Sequence, residues 1–266
     1  MVQIMKNISN DICFYMKTDS IYLQSTDETM NVLYDITLTK EFFDLYEYKP
    51  LEDDAELALN TKMLHTALSY IEADEYIQMA TNKQKDKLQI HIFKANGTKH
   101  TEFVLPIMNN QETNLLNVVI QEYSVDLKMN AKEFFEIAHN HTQIGDVITI
   151  KCTDSSMTFT TKGLIQKTSF LNVSEIKEYS IEGDYYYHKS FHTKHIEKVA
   201  QFYKICDIME AHMDDNNPLY LKYEFGRCNA ILRIFIAPMI ETEIIDENDE
   251  MMVELVSEEI ENIEMI

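Results

Sequence analysis

Short stretches in which apolar and polar residues alternate recur along this 266-residue chain, and no other pattern restricts its fold as strongly. Such alternation predicts strands with their apolar side chains on one face, because successive side chains of a strand point to opposite sides. Strands that bury only one face are typical of antiparallel sheets. The clearest examples are residues 21–23, 88–93, 147–150 and 231–236.

Three longer stretches show the helical period, with apolar residues three and four positions apart. They cover about residues 61–73, 131–141 and 193–204. Asn130 followed by Glu133 resembles a capping box, which favours a helix start at residue 131. Each predicted helix is followed by a cluster of predicted strands. This weak repeat indicates two similar domains.

The pattern divides the chain into four segments. Residues 1–107 and 123–240 hold the two repeated units. Residues 108–122 carry few helix or strand signals before Leu115, so we expect them to form a connector. Residues 241–266 differ from the rest in composition and are predicted to be a separate tail.

Acidic residues dominate the charge of the chain and are concentrated at its end. The formal net charge is -22, and residues 241–266 hold 11 Asp and Glu without any Lys or Arg. This composition favours a solvated acidic tail. The other residues still carry 34 acidic against 23 basic side chains, and a uniformly acidic surface repels DNA phosphates. Composition by itself therefore argues against nucleic-acid binding.

The tail also contains an apolar pattern that leaves a second interpretation open. A short amphipathic helix that docks on the protein would need apolar residues at helical spacing. The tail has such residues at Val253, Val256, Ile260 and Ile263.

The cysteines and the start of the chain favour a reduced, intracellular protein. The four cysteines are widely spaced and form no CxxC pair, which is typical of buried free thiols. They are Cys13, Cys152, Cys206 and Cys228. The chain begins without the charged and apolar regions of a signal peptide. No apolar run approaches the ~18 residues that a membrane span needs, so we expect no membrane association.

The sequence offers little to an enzyme hypothesis. It contains no GxSxG, P-loop or GxGxxG motif, and its five glycines leave little material for phosphate-binding loops. Several histidines are close in sequence, but their helical spacing is imperfect and no cysteine or carboxylate completes a metal set. They are His139, His141, His188, His192 and His195. We therefore expect no catalytic site, no metal and no cofactor.

Several motifs, taken in order between residues 10 and 240, resemble the sliding-clamp family of eukaryotes and archaea, the relatives of proliferating cell nuclear antigen. Residues 21–27 (IYLQSTD) resemble the family's LQSMD strand and loop, and residues 43–46 (FDLY) its FDxY segment. Residues 122–124 (EYS), continued by Glu133-Phe134 and by residues 144–146 (IGD), form the strongest piece. Residues 232–240 (LRIFIAPMI) are similar to the closing LxxYLAPKI.

The resemblance implies an α+β DNA-clamp fold, in which two similar domains place antiparallel sheets outside and helices along a central channel. Three subunits would close head to tail into a homotrimeric ring. Such a ring encircles double-stranded DNA, acts as a DNA polymerase processivity factor, and recruits polymerase, clamp loader and repair enzymes. A closed ring would also explain how a protein with an acidic surface can stay on DNA. The ring surrounds the duplex and so does not depend on charge attraction to hold it. The implied localisation is the nucleus, or a cytoplasmic viral replication site.

The channel helices need some positive charge to face the duplex. The resemblance, together with the predicted polar faces of the helices, assigns this role to Lys6, Lys62, Lys132, Lys194 and Lys198. Ordinary solvated lysines are the alternative interpretation.

Two departures from the family bear on this function. Glu136 and His139 occupy positions where the family usually has arginine, so the second full helix offers little positive charge. Only the end of the family's first strand and helix has a match, at residues 2–9. Either the sequence starts at a downstream Met, or the first domain has lost that edge strand and part of that channel helix. Both departures keep a second function open, a clamp-fold scaffold that binds proteins and does not encircle DNA.

Clamp partners insert aliphatic and aromatic anchors into a pocket beneath the connector, and the tail is one candidate occupant of that pocket. The matching positions here are Met30, Leu33, Leu116, Val118, Pro218, Phe235, Ala237 and Pro238. Plain core packing is the alternative for them. Subunit contacts in the family join edge strands, which here would be about residues 101–105 and 166–171, with Phe103 and Phe170 as apolar anchors.

Overall fold

A computed structural model of the chain describes residues 1–49, 55–81, 84, 86–108, 115–116, 118, 120–183, 185–227 and 229–240. The N-terminal half contains helices α1 (Val2–Met5) and α2 (Thr61–Leu68) and strands β1 (Asp11–Met16), β2 (Ser20–Thr26), β3 (Val32–Thr39), β4 (Ala55–Asn60), β5 (Glu75–Thr81), β6 (Lys87–Lys94) and β7 (Lys99–Pro106). The predicted acidic tail lies outside the described residues.

The C-terminal half contains helices α3 (Ala131–Thr142) and α4 (Thr193–Ala200) and strands β8 (Val125–Asn130), β9 (Val147–Cys152), β10 (Ser156–Lys162), β11 (Gln166–Asn172), β12 (Glu178–Ile181), β13 (Tyr187–His192), β14 (Ile208–Met213), β15 (Leu219–Phe225) and β16 (Ala230–Ile236). Short 3-10 turns lie at Lys40–Phe42, Val173–Glu175 and Gln201–Lys204. The described residues of the predicted connector, which include 115, 116 and 118, belong to no helix or strand.

The strands of the described residues form three antiparallel sheets. The largest has nine strands in the order β12-β8-β14-β15-β16-β3-β2-β1-β4, and it crosses from one half of the chain to the other. The second has the order β11-β10-β9-β13, and the third has the order β5-β6-β7. Because β16 pairs with β3, the last strand of the chain joins the two halves into one continuous sheet.

The two halves repeat one plan. The order β3-β2-β1-β4 in the first half corresponds to β11-β10-β9-β13 in the second, and the last strand of each block leads directly into a helix, α2 or α4. The strands β5-β6-β7 that follow α2 correspond to β14-β15-β16 after α4. This arrangement confirms the predicted α+β fold with two similar halves.

Alternation in the sequence places the core on one face of the sheets. In β16, for example, Leu232, Ile234 and Ile236 are fully buried, while Arg233 between them lies on the other face. The helices cover the core face with their apolar sides, and Phe134 of α3 and Val199 of α4 join one continuous core. The helices therefore form a layer on one side and leave the opposite sheet face open.

An ion pair reinforces the β16–β3 joint on the open face. Arg233 Nε and Nη2 donate to the two carboxylate oxygens of Asp35, each at 2.7 Å, in a bidentate arrangement. Asp35 is only 1% exposed, and burial raises the pKa of its carboxyl although Arg233 opposes this effect. Removing Arg233 would leave the buried Asp35 carboxylate without its cationic partner.

The predicted helix ends agree unevenly with the structure. α3 begins as expected, because the Asn130 side chain accepts hydrogen bonds from the backbone N–H groups of Lys132 and Glu133. The predicted helix over residues 61–73 is wrong in its last turn, since α2 ends at Leu68. The Ser69 hydroxyl donates to the Thr66 carbonyl at 2.8 Å, a local bond of the kind that competes with helix continuation.

Two of the cysteines, Cys152 and Cys206, are free thiols. Cys152 and Cys206 are buried, as expected, and burial raises the pKa of each thiol to about 12. Cys13 is partly exposed, and Cys228 lies outside the described residues. Separately, none of the helices found in the described part of the chain has the length and apolar character needed to cross a membrane.

Candidate functional site

The five lysines singled out in the sequence all lie on the helical layer. Lys6 caps the C-terminal end of α1, and the others lie within helices, Lys62 in α2, Lys132 in α3, and Lys194 and Lys198 in α4. All except Lys6 are exposed. α1 packs against α2, and α3 packs against α4, so the five lysines lie on two packed helix pairs.

Carboxylates offset part of this positive charge on α3 and α4. Lys132 Nζ lies 3.6 Å from Glu136, one turn further along α3. His139 Nδ1 lies 2.6 Å from a carboxylate oxygen of Glu197 on α4, which ties the two helices together. Both residues are positions where the sequence departs from the family. Glu136 neutralises Lys132. His139 neutralises Glu197 only when its ring is protonated.

Two further lysines of the helices, Lys194 and Lys6, also have side-chain partners. Lys194 Nζ lies 3.8 Å from Asp146, and Lys6 Nζ donates toward His65 Nδ1 at 3.3 Å. Burial and the neighbouring Lys6 ammonium lower the pKa of His65, so this ring accepts the hydrogen bond as a neutral imidazole. Near neutral pH the helical layer therefore carries only a modest positive charge.

α4 also contacts the N-terminal half through the turn before β3. His195 Nε2 lies 3.7 Å from the carboxylate of Asp27. Burial would raise the pKa of Asp27, but hydrogen bonds from Thr29 and Val32, followed by the charge of His195, lower it overall. The Asp27 carboxylate thus fixes this turn, which lies beside α4.

A small aromatic cluster lies on the opposite, open face of the nine-stranded sheet. Tyr123, Tyr220 and Phe235 are buried there, apart from the main core, and Leu33 and Val118 pack against them. The rings of Tyr220 and Phe235 stack with centroids 4.9 Å apart. We call these five residues the outer cluster.

Strand register explains why the outer cluster forms. Tyr220 pairs directly with Phe235 across β15 and β16, and Phe235 pairs directly with Leu33 across β16 and β3. His212 of β14 extends the row, since its ring stacks on Tyr220 at 4.8 Å. Directly opposite residues of antiparallel strands are close enough for such contacts. The outer cluster is therefore a cross-strand row that bridges both halves.

An open cleft of about 420 Å³ continues from the outer cluster. Tyr123, His212 and Tyr220 form its apolar side, and the carboxylates of Asp126 and Glu182 form its polar side. His212 Nδ1 contacts Asp126 Oδ1 at 2.5 Å. An apolar floor with a polar rim suits a peptide that contributes a few apolar anchors.

The connector borders the outer cluster and is held by β2. Gln24 bonds both backbone groups of Leu116, with Leu116 N–H donating to Gln24 Oε1 at 2.8 Å and Gln24 Nε2 donating to the Leu116 carbonyl at 2.9 Å. The side chains of Leu116 and Ile120 remain about half exposed, at 53% and 48%. Apolar surface is therefore available beside the outer cluster.

The structure unites part of the predicted pocket. Leu33, Val118 and Phe235 are in the outer cluster, and Leu116 is tied to β2 next to it. Pro218 precedes β15, while Ala237 and Pro238 follow β16, where Ala237 N–H donates to the Asn31 carbonyl at 2.9 Å.

One predicted pocket residue stands apart. Met30 lies in the β2–β3 turn with a φ of 56° and is 82% exposed, outside the outer cluster. Sequence reasoning missed Tyr123, Tyr220 and His212. The signal for Tyr220 and His212 was a ring in a strand pattern, and Tyr123 was noted only as part of the motif at residues 122–124.

The predicted subunit contacts lie on the strands at sheet edges. β7 ends the three-stranded sheet, and β11 ends the four-stranded sheet. Phe170 on β11 is 71% exposed and Val104 on β7 is 54% exposed, whereas Phe103 is partly buried against the ring of Tyr70. A shallow cleft of about 240 Å³ beside β7 is lined by Phe103, Val104 and Met63 of α2. Both edges thus carry uncovered apolar surface.

Paired halves with helices on one side and a continuous antiparallel sheet on the other define a subunit of the sliding-clamp class. Residues 1–114 match the family model described as proliferating cell nuclear antigen, N-terminal domain, and residues 118–239 match the model described as its C-terminal domain. The chain therefore belongs to the proliferating cell nuclear antigen family, and it is a clamp-type processivity factor of DNA replication.

Proposed function

We propose that three copies of this chain close into a ring that encircles duplex DNA and recruits replication enzymes through the outer cluster. The ring acts by holding other proteins on DNA, without a catalytic site of its own. The observation that carries this proposal is the joint between β16 and β3, in which one half of the repeated plan pairs with the other.

That joint supplies the geometry of assembly. β7 occupies the same place in its sheet as β16, and β11 occupies the same place as β3. Pairing β7 of one copy with β11 of the next would form, between two subunits, the same kind of contact that β16 and β3 form within one chain. Such a contact is head to tail, and it satisfies two exposed edges at once. Exposed Phe170 and Val104 supply apolar area for it.

Retention on DNA then depends on closure and only weakly on charge. The helical layer faces the channel in this assembly, and its lysines contact phosphates from several sides. The pairing of Lys132 with Glu136 and of His139 with Glu197 limits that attraction. A weakly attractive channel permits sliding, while the closed ring prevents escape.

The outer cluster and the exposed side chains of Leu116 and Ile120 bind the partner motif. Aliphatic and aromatic anchors of a polymerase or clamp loader pack on Phe235, Tyr220 and Leu33, where a few buried aromatic contacts supply most of the binding energy. The connector lines one side of this pocket because Gln24 holds it there.

A scaffold that binds proteins without encircling DNA is the second candidate, and the carboxylates on α3 and α4 favour it. Loading on DNA separates the two. The protein is loaded by a clamp loader onto nicked circular DNA, which is then cut once. A clamp stays on the circle and leaves after linearisation, with Phe170→Asp as the variant that fails to load. Equal retention on circular and linear DNA, or no loading at all, would reject the ring in favour of the scaffold.

A further inference from the structure

The β16–β3 joint within one chain indicates which side chains meet at the equivalent joint between two copies. This inference rests on the proposed ring, in which β7 of one copy pairs with β11 of the next. The last pair of the internal joint is Ile236 opposite Val32, and just beyond it Ala237 N–H donates to the Asn31 carbonyl at 2.9 Å. The internal joint therefore ends at the turn between β2 and β3.

The β10–β11 hairpin takes the place of the β2–β3 hairpin in the joint between copies. The β2–β3 hairpin closes with Thr26 opposite Leu33, and the β10–β11 hairpin closes with Lys162 opposite Gln166. The short turn 163–165 therefore corresponds to the turn that leads into β3.

The end of β7 likewise takes the place of the end of β16. Leu105 pairs with a buried leucine near the start of β6, as Ile236 pairs with one at the start of β15. Pro106 follows Leu105 as Ala237 follows Ile236. Proline has no N–H, so the hydrogen bond that Ala237 donates in the internal joint cannot form at Pro106.

The helix beside each joint also differs in chemistry. Met63 is the third residue of α2, and His195 is the third residue of α4. His195 lies 3.7 Å from the carboxylate of Asp27, the residue that follows the closing pair of the β2–β3 hairpin. Met63 and Gly163 take these two positions in the joint between copies, so the ion pair cannot form there.

Apolar side chains are exposed on both sides of the predicted contact. At the tip of the β10–β11 hairpin, Leu164 is fully exposed and Ile165 is 65% exposed. Met63 is 51% exposed and borders the cleft of about 240 Å³ that Leu105 and Pro106 also line. Burial of this apolar surface would favour association of two copies.

The hairpin tip is held in place within the single chain. Gly163 N–H donates to the Ile165 carbonyl at 3.0 Å, which closes the turn. A Cβ atom at Gly163 would lie 2.0 Å from the carbonyl oxygen of Ile144, so the turn packs closely against the segment that follows α3. Because the turn is already fixed, Leu164 can be buried at a smaller cost in conformational entropy.

We propose that Leu164 and Ile165 of one copy insert into the cleft beside Met63 of the next copy and form an apolar lock at the end of the β7–β11 contact. The occupant of this cleft is a second copy of the chain. The two kinds of joint then end differently, the internal one with an ion pair and a backbone hydrogen bond, and the one between copies with apolar packing.

Sedimentation equilibrium of the full chain tests the lock through paired charges. Leu164→Asp and Met63→Lys should each raise the concentration needed for half-assembly about tenfold or more, because each puts a charge in place of an apolar anchor. The double variant should regain most of the lost affinity at low salt, since the two introduced charges are opposite. In about 1 M salt the double variant should lose this recovery, because the charges are screened.

Leu45→Asp combined with Met63→Lys is the matched control and should show no recovery, since Leu45 is exposed on a turn after β3. A wild-type chain that stays monomeric would reject the proposed ring itself. A trimeric wild type whose assembly is unchanged by Leu164→Asp would overturn the lock alone and leave the hairpin tip to another protein. Two weakening single variants without recovery in combination would also overturn the lock.

Discussion

Gln24 and Leu116 are 92 residues apart in sequence, yet the side-chain amide of one holds both backbone groups of the other. The two bonds, at 2.8 and 2.9 Å, imitate the pairing of one strand with the next. Gln24 also donates to the Tyr22 hydroxyl at 2.9 Å, which fixes the amide orientation. Gln24 of β2 therefore fixes the connector at Leu116 where it crosses the sheet.

Gln24→Ala should release the connector at Leu116. The two lost bonds are worth about 1 kcal/mol each, so the Leu116 amide should exchange about fivefold to thirtyfold faster. A partner-motif peptide should bind less tightly, because its pocket loses a fixed wall. Gln89→Ala on β6 makes the same chemical change away from the connector and should affect neither quantity. Unchanged exchange at Leu116 would show that other contacts hold the connector.

Phe170→Asp should separate the subunits while leaving each one folded. A charge on the exposed edge of β11 opposes an apolar contact, and loss of an anchor of this size costs about 2 kcal/mol or more, or about thirtyfold in the dissociation constant. Native mass and sedimentation measurements at micromolar protein check this. Leu45→Asp is the matched control and should remain a trimer. Leu45 is 77% exposed and follows the 3-10 turn Lys40–Phe42. A wild-type chain that is monomeric under these conditions contradicts the ring.

Glu136→Arg should strengthen the hold on duplex DNA. It removes the partner of Lys132 and adds a cation to α3, so one further phosphate can be neutralised. The slope of log affinity against log salt should steepen by about 0.9 for each additional phosphate that the protein neutralises. Glu47→Arg alters net charge equally on a loop away from the helices, and its salt slope should match the wild type. Identical slopes for both variants would mean that α3 does not face DNA.

His141 should make the folded chain sensitive to acid. Its ring is fully buried between Thr161 and Ser169, and burial lowers its pKa to about 4 from the ordinary 6.5. The unfolded chain binds the proton first, so stability is greatest above pH 6.5 and decreases as the pH falls toward 4. The contribution lost is about 3 kcal/mol.

Chemical denaturation of the wild type and of His141→Gln across this pH range measures that contribution. Glutamine keeps hydrogen-bonding groups but cannot titrate, so the difference between the two free energies of unfolding should shrink as the pH falls. Parallel curves would show that His141 does not carry the effect. The carboxylates common to both proteins cancel in the comparison.

Local patterns predicted local structure well. The alternating residues 88–93 and 231–236 lie within β6 and β16, and the helix predicted at residues 131–141 is α3 with one added residue. These elements agree because propensity, capping and burial favour the same structure. α2 is shorter than predicted because Ser69 makes a local bond that the apolar period does not report.

The outer cluster was only partly predictable. Family position indicated Leu33, Val118 and Phe235, but the pairing of Tyr220 with Phe235 depends on the register of β15 and β16. Register is a tertiary property, and the period of a single strand does not specify it. The Gln24–Leu116 bonds are also a tertiary feature, since residues 92 positions apart are brought together only by the fold.

The β16–β3 joint has a mechanical consequence. Within one chain this joint is tethered by the connector and held by the ion pair of Asp35 and Arg233. In the proposed ring, the contact between β7 of one copy and β11 of the next would have no covalent link. A ring of three copies would have six joints, in which a covalently tethered β16–β3 joint alternates with a non-covalent β7–β11 contact. A clamp loader that opens the ring would therefore separate a β7–β11 contact between subunits. Chain connectivity thus determines where DNA enters the ring.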